Sequence, residues 1–134
     1  MRARMTADDL VDVELSYAPQ FGSAKDPVNF LGYIADNMMS GAVETIQWHE
    51  LGESASTLID VRTPVEFAAG AIPGAINIPL DDLRSRLDEV PAESVVHCQV
   101  GLRGYLAARI LMQEGKATRN LDGGYKTWSA MQRA

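Results

Sequence analysis

The sequence predicts an α/β fold, in which a mostly parallel sheet is flanked by helices, plus an N-terminal helical extension. Three observations support this. Short apolar strands alternate with helical segments over residues 42–134, and an isolated helix precedes them. The whole chain of 134 residues is 46% hydrophobic, which suits a globular protein of ordinary size. We therefore expect an extension over residues 1–41 and an α/β domain over residues 42–134.

The extension contains one clear helix, predicted over about 27–39. Asp26 can cap its amino end, Pro27 occupies the first helical position, and Gly41 follows its carboxyl end. Residues 1–24 lack regular periodicity. The apolar residues of the helix recur at helical spacing: Phe30, Leu31, Ile34 and Met38.

The second region alternates between strands and helices. The strands are predicted at 43–46, 57–61, 75–78, 94–97 and 117–121. The helices are predicted to begin at Thr63-Pro64, to run from Asp81 to about Leu87, and to cover 103–114 and 124–131. This order favours parallel strands joined by crossover helices.

Composition excludes several classes of function. Eighteen acidic and twelve basic residues give a net charge of −6, which disfavours binding to nucleic acid or to anionic membranes. With one cysteine, Cys98, and two histidines, the chain has neither an internal disulfide nor a metal-binding set. No apolar run reaches the roughly 18–20 residues of a membrane span. The start lacks the apolar core of a signal peptide, so a cytoplasmic location is expected.

Cys98 is the candidate nucleophile. It ends a predicted strand and begins the run 98–103, which leads into a helix. Gly101 lets this run curl so that its N–H groups point inward, and the following helix adds the positive end of its dipole. A cysteine at such a place is expected to be thiolate-rich and reactive. The alternative, an inert core cysteine, fits Gly101 and Arg103 less well.

The pattern Cys98-x-x-Gly101-x-Arg103 resembles the active-site loop of rhodanese domains. Three further stretches resemble family segments in the same order: DVRTPVEF at 60–67, GAIPGAINIP at 70–79 and LDGGYKTW at 121–128. One departure is Ala71, where many family members have histidine.

The resemblance implies a thiosulfate sulfurtransferase-like enzyme, which moves sulfane sulfur from thiosulfate, a persulfide or a polysulfide to a thiol or cyanide. Cys98 would carry the sulfur as a persulfide, and Arg103 would attract anionic donors. Asp60 would help to hold the loop, and Arg62 would pair with Glu66. The loop that would bind the transferred sulfur through its backbone amides comprises Gln99, Val100, Gly101, Leu102 and Arg103.

The segment 17–29 resembles the end of the dimerisation domain in flavin-dependent disulfide reductases, above all coenzyme A-disulfide reductases that carry a C-terminal rhodanese domain. The chain lacks a Gly-x-Gly-x-x-Gly motif, so no cofactor is expected in it. FAD, NAD(P)H and coenzyme A would act only in a reductase portion elsewhere. Expected partners are small sulfur donors, thiol acceptors, such a reductase domain, and a second copy through residues 1–41.

The sequence leaves three alternative functions to consider. An accessory sulfur-carrier module would need its reductase partner for turnover, whereas an independent enzyme would not. Cysteine phosphatases and arsenate reductases use Cys-x5-Arg, but position 104 here is glycine. Non-catalytic rhodanese domains commonly lack the cysteine.

His97 is disfavoured as a general base because neighbours on a strand point to opposite faces, and Tyr125 and Trp128 are interpreted as core and loop support.

Overall fold

A computed structural model describes residues 4–14, 26–54 and 56–133. The chain divides into two compact units, Met1–Ala42 and Val43–Ala134. Part of the segment 17–29, which carries the reductase resemblance, lies outside the described residues. No helix within the described ranges is both long enough and apolar enough to cross a membrane.

The first unit packs a short helix α1 (Ala7–Val11) against α2 (Pro27–Met39). The bounds of α2 agree with the prediction. Asn29 of α2 is buried. Its Nδ2 donates hydrogen bonds to three backbone carbonyl oxygens at or just beyond the carboxyl end of α1, those of Leu10 and Val11 at 3.1 Å each and that of Val13 at 2.9 Å. A β-carbon on Gly32 would lie 2.7 Å from the Val11 nitrogen, so this glycine permits the close packing.

The second unit is built on five parallel strands: β1 (Glu44–Ile46), β2 (Thr57–Asp60), β3 (Ile76–Asn77), β4 (Glu93–His97) and β5 (Ala117–Leu121). Their order across the sheet is β1-β5-β4-β2-β3. In this register Asp60, the last residue of β2, lies beside His97, the last residue of β4. The carboxyl ends of the two strands therefore meet at one edge, as the sequence predicts for a ligand site.

Helices α3 (Pro64–Ala68), α4 (Leu102–Gln113) and α5 (Gly124–Met131) flank the sheet. The prediction of a helix from Asp81 to about Leu87 is wrong, because the segment forms two 3₁₀ turns, Leu83–Ser85 and Leu87–Glu89. Arg86 between them has a φ of −121° and a ψ of 25°, which interrupts helical geometry. A further 3₁₀ segment, Trp48–Glu53, was not predicted.

Two apolar clusters cover the two faces of the sheet. Val96 belongs to one cluster and Val95 to the other, because successive strand residues point to opposite faces. The larger cluster also contains Cys98 and residues of α4, among them Ala107 and Leu111. The residue that follows β4 is thus anchored in the core on the side that α4 covers.

Candidate active site

Cys98 lies directly after β4, and the residue is only 1% exposed. Its Sγ accepts a hydrogen bond from the backbone N–H of Gly101 at 3.2 Å. The turn that makes this possible needs Gly101, whose φ of +119° is rarely adopted by other residues. The predicted curl of the loop is therefore present, and one of its amides points at the sulfur.

The loop is tied to the structure that follows it. Gly101 is the N-terminal cap residue of α4, and its carbonyl oxygen accepts hydrogen bonds from Tyr105 N at 2.8 Å and from Asn120 Nδ2 at 3.3 Å. Asn120 comes from β5, the neighbour of β4. Asn120 could not be identified from the sequence, because a strand asparagine gives no signal of its loop contact.

The amino end of α5 holds the other side of the loop. Tyr125 N donates to the Cys98 carbonyl oxygen at 2.8 Å, and Lys126 N donates to the Gln99 carbonyl oxygen at 3.0 Å. A β-carbon on Gly124 would lie 2.5 Å from the Cys98 oxygen, a backbone atom that cannot move aside cheaply. Gly124 is therefore required for the approach of α5 to the loop.

Arg62 pairs with Asp60, and the predicted Arg62–Glu66 pair is wrong. Arg62 and Asp60 are both buried, and the Arg62 guanidinium donates to the Asp60 carboxylate at 2.6 and 3.0 Å. Arg62 also donates to Gln99 Oε1 at 3.2 Å and lies over the Tyr125 ring, 4.1 Å from its centroid. This buried arginine thus connects the end of β2 with the loop and with α5.

Glu66 instead binds Arg103. Two parallel hydrogen bonds join the guanidinium to the carboxylate at 2.8 and 2.7 Å, and both side chains are partly buried. Hydrogen bonds from Arg103, and then from the backbone of Thr63, lower the pKa of Glu66 to about 2. The pKa of Arg103 is raised, chiefly by Glu66 and to a smaller extent by Cys98, whose side chain it also contacts.

His97 is buried beside Asp60, with 3.7 Å between Nε2 and the Asp60 Oδ2. Its Nδ1 lies 3.4 Å from the Cys98 carbonyl oxygen. Burial lowers the pKa of His97, because the charged form loses its hydration, and Asp60 only partly offsets this effect. A packed, neutral histidine matches the prediction that His97 is no general base.

The remaining loop residues differ in exposure. Val100 and Leu102 are exposed, whereas Gln99 is partly buried through its contact with Arg62. One further supporting residue was missed: Asn77 Nδ2 donates to the carbonyl oxygens of Asp60 and Arg62, both at 2.9 Å.

Within the described ranges, no three His, Cys, Asp or Glu side chains form a group that could hold a metal ion.

Comparison with known proteins gives the family. The model of the rhodanese-like domain matches residues 44–131. The chain belongs to this family. A sulfurtransferase of Allochromatium vinosum is 40% identical to it over 75 residues, which are 54% of this chain and 70% of that protein. The rhodanese resemblance of the sequence is thereby confirmed, and the family relation supports a role in sulfur transfer.

Two solved structures match nearly the whole chain. Bacillus anthracis CoADR-RHD superposes with a TM-score of 0.92 and 51% identity, over 98% of this rhodanese-like chain and 25% of that one. An NAD-dependent persulfide reductase from A. fulgidus gives a TM-score of 0.81 and 39% identity, over 95% and 24% of the two chains. This chain therefore spans about a quarter of the length of either reductase, and the resemblance to the rhodanese-bearing reductases is confirmed.

Proposed function

We propose that this chain is a sulfurtransferase that carries sulfane sulfur as a persulfide on Cys98. The observation that supports this most directly is the Gly101 N–H, which donates to Sγ from a loop between a parallel strand and a helix. An anionic sulfur on Cys98 would find the same amide and the positive end of α4 beside it.

The reaction would proceed in two transfers. The Cys98 thiolate attacks the outer sulfur of thiosulfate, the S–S bond breaks, and sulfite leaves with the electron pair. Cys98 then carries a persulfide anion. In the second transfer, a thiolate or cyanide attacks the terminal sulfur and takes it as a persulfide or as thiocyanate, which regenerates the Cys98 thiolate.

The supporting residues would act through geometry. Gln99 to Arg103 would present the amides to the terminal sulfur, and Asp60 with Arg62 would hold the loop by their buried contacts. None of these residues needs to exchange a proton, because a persulfide passes from thiolate to thiolate. His97 would stay neutral throughout.

A second candidate is an accessory sulfur carrier for a flavin-dependent reductase. It is favoured by the two structural relatives that match 95% or more of this chain, both of them proteins about four times its length. In that case FAD, NAD(P)H and coenzyme A would be bound by the reductase portion and not by this chain. Residues 1–41 would contact that portion, or a second copy of the chain.

Intact-mass spectrometry after incubation with thiosulfate tests the first step. We expect a gain of about 32 Da, which is lost on treatment with dithiothreitol and is absent in Cys98→Ser. No gain would contradict the proposal. Where the gain is observed, a second measurement separates the two candidates. Repeated release of thiocyanate from thiosulfate and cyanide would favour the independent enzyme, whereas a single transfer per chain would favour the carrier.

A further inference from the structure

Both arginines of the candidate site are bound to carboxylates. Arg62 is held by Asp60, and Arg103 donates two hydrogen bonds to Glu66. Each pair carries no net charge. A donor that approaches Cys98 therefore meets the loop amides and a guanidinium whose charge is already compensated.

The two kinds of donor differ in the charge they bring. Attack of the Cys98 thiolate on thiosulfate gathers three negative charges at the loop, one from the thiolate and two from the donor. Attack on an organic persulfide, R–S–S⁻, gathers two. A site whose two arginines are both paired with carboxylates opposes the first reaction more strongly, because repulsion between like charges is poorly screened where water is partly excluded.

The surface around the loop also favours an organic group. Exposed apolar side chains lie on the loop and on the two helices that the Glu66–Arg103 pair joins: Val65, Val100, Leu102 and Leu106. Val65 precedes Glu66 in α3, and Leu106 lies one helical turn after Leu102 in α4. Exposed apolar side chains can contact the carbon atoms of an organic persulfide, whereas the sulfonate of thiosulfate has no apolar atoms to bury.

We propose that Glu66 is a specificity-determining residue, which compensates the charge of Arg103 and so favours organic persulfides over thiosulfate as sulfur donors. This inference rests on the proposed role of Cys98. The favoured transfer is R–S–S⁻ plus the Cys98 thiolate giving R–S⁻ plus the Cys98 persulfide anion. The S–S bond of the donor breaks, the new S–S bond forms on Cys98, and no other reactant is needed.

Glu66→Gln tests the proposal, because it removes the charge and retains an oxygen that can accept the hydrogen bond from Thr63 N. A matched control is Glu89→Gln, which removes the same charge from a second bidentate pair, Arg86–Glu89, at 2.6 and 2.7 Å. That pair precedes the amino end of β4, whereas Cys98 follows its carboxyl end. The donors are thiosulfate and the persulfide of 2-mercaptoethanol, with cyanide as the common acceptor.

In Glu66→Gln we expect kcat/KM for thiosulfate to rise about threefold or more through a lower KM, with the persulfide value changed less than about twofold. The gain should shrink in 0.5 M NaCl, since salt screens the freed guanidinium. Glu89→Gln should alter neither donor. The double variant Glu66→Gln/Arg103→Gln should lose the gain for thiosulfate.

Three results would overturn the proposal: an unchanged thiosulfate KM in folded Glu66→Gln, an equal change for both donors, or a gain that survives the loss of Arg103. Should Glu66→Gln not fold by circular dichroism, Arg103→Gln alone decides, and an equal loss for both donors in that variant overturns the proposal. If the parent chain loads no sulfur onto Cys98 from either donor, the proposed function itself fails. Loading without any effect of Glu66 leaves that function intact and removes only its selectivity.

Discussion

The backbone nitrogen of Gly101 lies 3.2 Å from the Sγ of Cys98 and donates a hydrogen bond to it. This contact depends on a backbone conformation that is natural only for glycine, with a φ of +119°. No atom lies within 4 Å of the place where a β-carbon would be, so a side chain would meet strain and no clash. The residue can therefore be used to change the loop without disturbing its surroundings.

Gly101→Ala should reduce the rate of Cys98 persulfide formation at least about tenfold. The strained φ costs about 1–3 kcal/mol, and its relief would turn the Gly101 N–H away from the sulfur. The measurement is the rate of sulfur loading by mass spectrometry. Gly115→Ala is the control, since Gly115 has a φ of +76°, also with open space, in the turn after α4. Equal loading by both variants would contradict the role of the amide.

Asp60→Asn should destabilise the domain by about 3–5 kcal/mol, because it leaves the buried Arg62 guanidinium without a counter-charge. Urea unfolding measures this free energy. Asp60→Asn combined with Arg62→Met should cost less than the sum of the two single variants, as expected for a coupled buried pair. Glu89→Gln in the exposed pair should have little effect. Additive losses would show that the buried pair is not coupled.

The stability of the domain should fall as the pH drops below neutrality because of His97. Burial lowers its pKa in the folded state, so the unfolded chain binds a proton near the ordinary value of 6.5 that the folded chain does not. This loss is absent well above pH 6.5 and develops as the pH falls through that value. His97→Gln should flatten the dependence of the urea midpoint on pH in this window, and an unchanged slope would contradict the assignment.

The ionisation of Glu66 affects the stability of the domain over a lower pH range, and here too the stability falls as the pH drops. Its pKa of about 2 lies below the ordinary 4.5, so its contribution is fully present above about pH 5 and is lost as the pH falls through 4.5 towards 2. Glu66→Gln should therefore leave the His97 window unchanged and flatten the curve only below about pH 4.5. An altered slope between pH 5 and pH 7 in this variant would mean that the two groups are coupled.

Deletion of residues 1–41 should leave Cys98 persulfidation intact and change the oligomeric state or the solubility. The family match begins at residue 44, and the site contacts described above all lie within 60–126. The four apolar residues predicted for α2 are each more than half exposed: Phe30, Leu31, Ile34 and Met38. An apolar face of this kind seldom stays in water. Light scattering and sulfur loading of the shortened and full chains test this. Loss of loading in a folded shortened chain would show that the extension helps to form the site.

Most strands and helices could be predicted because their signals are local. The helix at 27–39 is marked by a cap, a proline and a periodic apolar face, and the strand at 94–97 by the adjacent apolar residues Val95 and Val96. Helix α1 was missed because five residues are too few to show a period. Its remaining signal is the capping box of Thr6 and Asp9, which gives no length.

The position of Cys98 and the curl at Gly101 followed from the sequence because both belong to one short segment. The ion pairs did not. Arg62 and Glu66 have the spacing of helix neighbours, but Arg62 lies before α3, so that spacing does not bring the side chains together. Arg103 meets Glu66 because α4 and α3 approach one another, which no local pattern shows, and Arg62 meets Asp60 at the buried end of β2.

The strand order has a consequence for how this chain is made. Among the strands that the structure describes, β1 leaves the ribosome first, yet its partner in the sheet is β5, more than 70 residues later in the chain. The loop after Cys98 is likewise completed by the first residues of α5, which are made later still. During synthesis the nucleophile therefore emerges before its surroundings can form. Until α5 docks, a nascent chain should expose a thiol that the finished domain buries, and it should be most open to oxidation and to chaperones in that interval.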